Sequence, residues 1–358
     1  MRGLFIGIGI LILAAAIGAG IWFYTNKKPE IRIKGMIGSE KSTFLENEKV
    51  RSILKKKYGI VVEYIRAGSI EMVSEEPKSG IDFLWPSSQV ALEIFRMKHN
   101  EKIVRSENIF NSPIVIYSWD IVTDALVKSG IVRKENSSFY IVDMPGLLKM
   151  IRDGKKWSEI GIPQLYGKVV VTTTDPTKSN SGNMFAGLVA NVLKGGDVIT
   201  EADLPQVLPE VKEFFARQGF MQSTSGVLFE QFLKTGVGQY PLMGGYENQG
   251  IEFSRQHQDF WPKVKNQIKV LYPVPTVWSE HPVIILDKRA SILIDALKDE
   301  EIQKIAWEEH GFRTGLMGVQ NDPKIIQVDG IPASITRIVP MPKASVMEKI
   351  IEALTDNK

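Results

Sequence analysis

Four times in this chain an apolar stretch with strand character runs into a cluster of small polar residues and then into a helix-like apolar pattern. The longest case is "KVVVTTTDPTKSNSGNMFAGLVANVL", Lys168 to Leu193; the four clusters are Gly38-Ser39-Glu40-Lys41-Ser42, Ser87-Ser88, Ser179-Asn180-Ser181-Gly182-Asn183 and Gly244-Gly245-Tyr246-Glu247-Asn248. Short apolar runs alternating with helical periodicity demand an α/β architecture. Open α/β sheets gather such junctions at the carboxyl ends of their strands. Ser and Asn are good helix N-caps because their side-chain oxygens accept from free backbone N–H groups. A helix start also carries unpaired donors and about half a positive charge. Each junction can therefore hold an anion without a cationic side chain. Capping alone is the ordinary use of such clusters. The loop Thr172 to Asn183 supplies far more polar groups than one cap consumes, which marks it as a binding loop.

The chain has 358 residues, too many for one ordinary core and suited to two lobes. The formal net charge is +3, and residues beyond 30 hold 41 basic against 40 acidic side chains, so nucleic acid is not an expected partner. The absence of cysteine excludes disulfides, thiolate metal sites, cysteine nucleophiles and lipid attached to a cysteine. His99, His257, His281 and His310 lack zinc-type spacing and read as structural. With no G-x-S-x-G elbow and no P-loop lysine motif, no catalytic residue, metal or cofactor is expected.

Residues 1–30 contain "LFIGIGILILAAAIGAGIWFY", Leu4 to Tyr24, without a charge. As a helix this run is about 31 Å long at 1.5 Å per residue, matching the hydrocarbon core of a bilayer. Trp22 and Tyr24 stand where interfacial aromatics belong, and Lys27 and Lys28 end the run. The expectation is one uncleaved transmembrane anchor. A signal peptide cut near Ala14-Ala15-Ala16 or Ala19 is the alternative. The flanking charges do not decide orientation.

Beyond Pro29, strands are expected at "IRIKGMI", "IVVEYIRAG", "IDFLWP", "SPIVIYSW", "KVVVTTT", "GQYPLMG" and "IKVLYP", with a strand pair in "PTVWSEHPVIILD". Helices are expected from Phe44 to a glycine stop at Gly59, and over Asp120–Lys128, Met144–Arg152, Pro209–Gln218, Ser291–Leu297, Asp299–His310 and Ala344–Leu354. The chain leaves a first lobe near Tyr117 and returns near Pro275. This divides it into lobe I, residues 31–117 and 275–358, and lobe II, residues 118–274, with a cleft between them where small ligands are favoured.

Four segments, in this order, carry a resemblance: "IGSEKSTFLENEKVRSILKKKYGIVVEYIRAGS", "GQYPLMGGYENQGIEF", "VLYPVPTVWSEHPVIILDK" and "DEEIQKIAWEEHGFR". The chain resembles the extracellular solute-binding proteins of ABC transporters with the type II fold, and most of all the branch that includes molybdate- and sulfate-binding proteins. The resemblance implies a two-lobed α/β clamp that closes on a small solute, an oxyanion held by hydroxyls and backbone amides. By position, Ser39, Ser87 and Ser88 would come from one lobe. Thr174, Ser179, Asn180, Ser181 and Gly182 would come from the other, with Tyr246 closing the site and Glu247 beside it. It further implies a partner permease or other membrane complex and a C-terminal bulk on the extracytoplasmic side of the cell membrane. A ligand sensor or envelope-complex component on the same fold is one alternative. A transferase-like enzyme using Glu247 or Asp175 as base is another.

Two features depart from that pattern. Glu40, Asp175 and Glu247 sit in or beside the clusters, and a carboxylate buried near an anion is costly. Either they point away or the ligand carries a positive group. Lys41 and Lys178 read as solvated side chains near two of them. The membrane anchor is the second departure.

Overall fold

The computed structural model describes residues 30–136, 138–316 and 321–355. The expected anchor, Leu4 to Tyr24, lies outside them. Among the described residues no helix is long and apolar enough to cross a membrane.

Among the described residues ten strands build the sheet: β1 Ile31–Ile37, β2 Ile60–Arg66, β3 Phe83–Trp85, β4 Arg105–Trp119, β5 Val132–Glu135, β6 Phe139–Asp143, β7 Leu242–Tyr246, β8 Ile268–Val274, β9 Trp278–Ile285 and β10 Arg313–Thr314. Their order is β2-β1-β3-β9-β4-β8-β6-β5, with β7 and β10 also paired to β4. β1 runs parallel to β2 and β3, whereas β9 is antiparallel to β3 and β4. This is a mixed α/β sheet in two parts that share one long strand.

β4 is that strand. Its residues 105–113 pair with β9, and residues 114–119 pair with β7 and β8. Residues 112–119 are all buried, which explains why "SPIVIYSW" reads as a continuous apolar run instead of an alternating one. The crossing between the two halves falls at Pro113 and Ile114, earlier than the expected Tyr117. Tyr117 is already inside the second half, where its hydroxyl donates to Tyr246 O at 2.7 Å and accepts from Gly250 N at 2.8 Å. The return crossing lies beside the first: Ile114 N donates to Val277 O at 3.1 Å and Thr276 Oγ1 donates to Ile114 O at 2.6 Å.

The first half is built around an aromatic cluster in which Phe44 meets Trp85 and Phe110 edge-on and Phe110 stacks on Phe312 with centroids 5.1 Å apart. Such pairs add about 0.5–1.5 kcal/mol each beyond their buried area. The helix expected from Phe44 is split into Ser42–Glu46 and Glu48–Tyr58. Asn47 makes the break, leaving helical geometry and accepting from Lys49 N and Val50 N as a fresh N-cap. Gly59 ends the second helix in the left-handed conformation at φ 70°.

Helices Asp120–Lys128, Met144–Arg152 and Ser291–Leu297 stand where periodicity puts them. Other segments differ. "KVVVTTT" forms no strand but only two isolated bridges, Lys168 to Lys156 and Thr172 to Met243, and Thr173 N turns instead to Gln218 Oε1 at 2.7 Å. The expected strand pair at 275–287 is the single strand β9. The helix expected from Pro209 begins at Leu204 and carries Pro209 inside it. The C-terminal helix Ala344–Thr355, expected in the first lobe, packs against helix Gln89–His99 and also against Asn180–Leu193 and Leu204–Ala216 of the second half. Gly187 permits this approach: a Cβ there would stand 2.5 Å from Met341 Cε.

Candidate functional site: a cavity between the two halves

A cavity of about 640 Å³ opens between the halves, within the 300–1,000 Å³ usual for small-molecule sites. Two loops of the first half wall it, Gly38–Glu40 after β1 and Arg66–Ser74 after β2, the latter contributing Ser69 and Glu71. Two loops of the second half face them, Pro176–Asn180 and Ser223–Ser225, with Tyr246 at the end of β7. The polar groups of the lining are mostly hydroxyls, with the Asn180 amide and the charged side chains of Glu40, Arg66, Glu71 and Lys178 among them.

Two long helices start at this wall, Asn180–Leu193 and Ser225–Thr235. Thr224 caps its helix by accepting from Val227 N, whereas the Ser179 side chain makes no cap hydrogen bond. Ser179 Oγ lies 3.2 Å from Ser181 Oγ, which lies 2.7 Å from Thr174 Oγ1. The first turn of helix Asn180–Leu193 thus presents backbone donors with the Ser179 hydroxyl beside them.

Of the residues singled out from sequence, Ser39, Ser179, Asn180 and Tyr246 line the cavity. The others stand behind it. Ser88 caps helix Gln89–His99 by accepting from Val90 N at 3.2 Å. Thr174 and Ser181 bond each other beneath the loop, and Gly182 lets the helix rest on that loop, since a Cβ would stand 2.2 Å from Thr174 O. Ser87 is fully buried one layer below the wall; its N donates to Ser69 Oγ at 2.9 Å and its carbonyl accepts from Asn180 Nδ2 at 2.7 Å. Asn180 Nδ2 also donates to Tyr246 Oη at 2.9 Å, so one amide ties the second half to the first across the cavity floor.

The three carboxylates of concern have separate fates. Glu247 points away: it is fully buried and takes Arg313 Nε at 2.6 Å, Arg313 Nη2 at 2.8 Å and the Tyr272 hydroxyl at 2.6 Å. Asp175 turns back on its own loop and accepts from Thr177 N at 2.9 Å and Thr177 Oγ1 at 2.7 Å. Glu40 stays on the cavity wall.

Lys41 is not solvated as expected. It is fully buried beneath the wall, 2.5 Å from Glu40 Oε1 and 2.6 Å from Ser87 Oγ, with Nζ 5.7 Å from the Trp85 ring. His281 Nδ1 lies 3.3 Å from the same ammonium. Burial alone would push the Glu40 carboxyl up, but the Lys41 charge and the hydrogen bonds from Lys41 and Ser87 hold it at about 2. Burial and the Lys41 charge push His281 well below its ordinary value, so its ring is neutral. Burial, then the Glu40 charge, raises the Tyr246 hydroxyl, which remains protonated. Lys178 is exposed, as expected, with Nζ 4.0 Å from Asp175 Oδ2.

Two wall segments were not picked out from sequence. Both carried a signal: "GSIEMVS" and "STSGVLFE" each place small polar residues before a helix. The first comes directly after strand β2, as the other clusters come after theirs; the second follows no strand. Among the described residues no group of three or more His, Asp or Glu side chains could hold a metal ion.

No family model and no curated protein matches this sequence. Solved structures do. Iron-bound HitA from Pseudomonas aeruginosa aligns at 11% identity with a TM-score of 0.57, covering 90% of this chain and 99% of that one. The sulfate-binding protein SubI from Mycobacterium tuberculosis aligns at 12% identity and TM-score 0.52, covering 90% and 96%. A two-component-system protein mediating signal transduction aligns at 13% and 0.54, covering 89% and 100%. The fold is therefore that of the two-lobed periplasmic solute-binding proteins. Identities this low speak for the fold alone, and the variety of those proteins does not single out the molybdate and sulfate branch.

Proposed function

We propose that this protein is an extracytoplasmic solute-binding clamp that captures a small anionic solute between its halves and delivers it to a membrane partner, an ABC-type permease in the first instance. The observation that carries the reading is the cavity itself: loops from both halves meet there, two long helices begin there, and hydroxyl and amide groups line it. An oxyanion group of the solute sits at the first turn of helix Asn180–Leu193 among Ser39, Ser179 and Asn180. Donors at a helix start favour negative charge without a fixed cation. Arg66 and Lys178 line the cavity and supply positive charge to it. The protein performs no chemistry on the solute. In support, Glu247 is held by Arg313 and Tyr272 and Asp175 by its own loop, which leaves neither free as a general base.

Leu4 to Tyr24 holds the clamp to the membrane with residues beyond 30 on the extracytoplasmic side. A sensor that signals through this anchor is the second reading, favoured by the similarity to a signal-transduction protein of the same fold.

Calorimetry of the full chain in detergent micelles against sulfate, molybdate, tungstate and phosphate tests the oxyanion group; heat with at least one is expected, and silence with all four removes it. Retention of the full-length chain in alkali-washed membranes, with external protease reaching residues beyond 30, tests the anchor and its orientation.

A further inference from the structure

The wall of this cavity holds a group foreign to a plain anion site, the Glu40 carboxylate. Its side chain is 11% exposed and faces the cavity. Gly38 makes the position: a Cβ there would stand 2.4 Å from Glu40 Oε1 and 2.7 Å from Oε2, so the carboxylate lies folded over the Gly38 backbone. Oε1 takes both Lys41 Nζ and Ser87 Oγ, while Oε2 has no hydrogen-bond partner among the described residues.

An ionised carboxylate can only accept. A fully deprotonated ion such as sulfate would set acceptor against acceptor at this wall. An ammonium would meet the Lys41 charge, 2.5 Å from the other oxygen of the same carboxylate, Oε1. A hydroxyl meets neither objection. Lys41 cancels the charge of Glu40, so an anionic group can lie close by; alone, the carboxylate would repel it.

We propose that the cavity selects a small organic anion carrying its own O–H beside the anionic group, a hydroxycarboxylate or a phosphomonoester, with Glu40 accepting that O–H and Lys41 making the carboxylate tolerable to an anion. This rests on the clamp reading above and narrows its ligand. Glu40 becomes the specificity-determining residue and Lys41 its positioning residue.

The test is calorimetry of the full chain in detergent micelles with two matched pairs, malate against succinate and methyl phosphate against methyl sulfate. A preference of at least tenfold for the donor-bearing member of one pair is expected, and which pair shows it separates the two chemistries. If it is the phosphate pair, the preference fades between pH 5.5 and 7.5, because a phosphomonoester loses its proton near pH 6; a malate preference does not. Glu40→Gln reduces the preference to within about threefold. Should that variant misfold around an unpaired Lys41, the double variant Glu40→Gln/Lys41→Met reports instead, its preference within each pair likewise reduced to within about threefold. Equal affinity within both pairs, or a preference that survives both variants, overturns the inference and leaves the clamp standing. No binding of these four anions or of sulfate, molybdate, tungstate and phosphate overturns the clamp, and the inference with it.

Discussion

Two carboxylates follow two of the glycine-bearing junctions, and the molecule treats them in opposite ways. Glu40 pairs with its chain neighbour Lys41 at the cavity wall. Glu247 pairs with Arg313, 66 residues away, where no water reaches either oxygen. Arg313 also donates to Pro332 O at 2.7 Å and Ala333 O at 3.1 Å and lies 5.1 Å from the Trp307 ring. The second pair therefore joins the start of helix Glu247–Gln256 to β10 and to the chain beyond it, a structural weld. The first touches the space where a solute goes. A buried ion pair is weak evidence for stability, but breaking one leaves an uncompensated charge. What differs is whether that charge can find water.

The comparison breaks most visibly at Arg313. Arg313→Met should cost about 3–5 kcal/mol in urea unfolding because Glu247 is left charged and sealed. The double variant Arg313→Met/Glu247→Leu should recover most of that loss. Lys41→Met should cost less, about 1–3 kcal/mol, since Glu40 can take water from the cavity, and it should weaken anion binding at least tenfold. If Lys41→Met proves as damaging as Arg313→Met, the cavity does not hydrate Glu40 and the contrast fails.

Acid sharpens it further. Glu40 is held at about 2 against an ordinary 4.5, so its folded-state pKa is depressed. Its stabilisation is present above pH 4.5 and is lost as pH falls through about 2. The stability gap between the natural protein and Glu40→Gln should therefore narrow steadily from pH 5 to 2; a gap that is flat over that range contradicts the assignment.

A smaller effect is expected at Asn180, which links Ser87 beneath Glu40 to Tyr246 beside Glu247. Asn180→Ala should cost about 1 kcal/mol and raise hydrogen exchange on both sides of the cavity floor. The smallest contrast lies along the rim. Thr224→Ala removes a working cap and should cost about 1 kcal/mol. Ser179→Ala removes none and should leave urea stability within about 0.5 kcal/mol while lowering ligand affinity.

Local periodicity was legible wherever a segment makes its own structure. Asp120–Lys128 and Met144–Arg152 follow from apolar spacing, and Gly59 and Gly311 adopt the left-handed ends that helix stops require, each at φ 70°. Ser39, Asn180 and Tyr246 were legible because small polar residues between strand and helix stand out in one dimension. The burial of Lys41 was not. Its environment is supplied by Ser87 and by His281, 240 residues further along, and a Lys beside a Glu reads as a solvated pair until those partners are seen. Ser87 misled for the reverse reason: its position after β3 is right, but Glu40 and Lys41 lie over its hydroxyl. The C-terminal helix is amphipathic and thus detectable, while the surface it covers is set by Gly187 and the Met side chains packed there.

The passage of β4 through both halves constrains how they can move. Ile114 is pinned to Val277 and Thr276 on the returning chain, and Thr276 pairs in turn with Arg337 and Val339, so the neck is three segments fastened side by side. Segments joined this way flex readily out of their common plane and resist shear and torsion. The halves should swing about a single axis through residues 113–114 and 275–277, as a leaf hinge does, and a disulfide or spin-label pair spanning that line would register the entire range of travel in one coordinate.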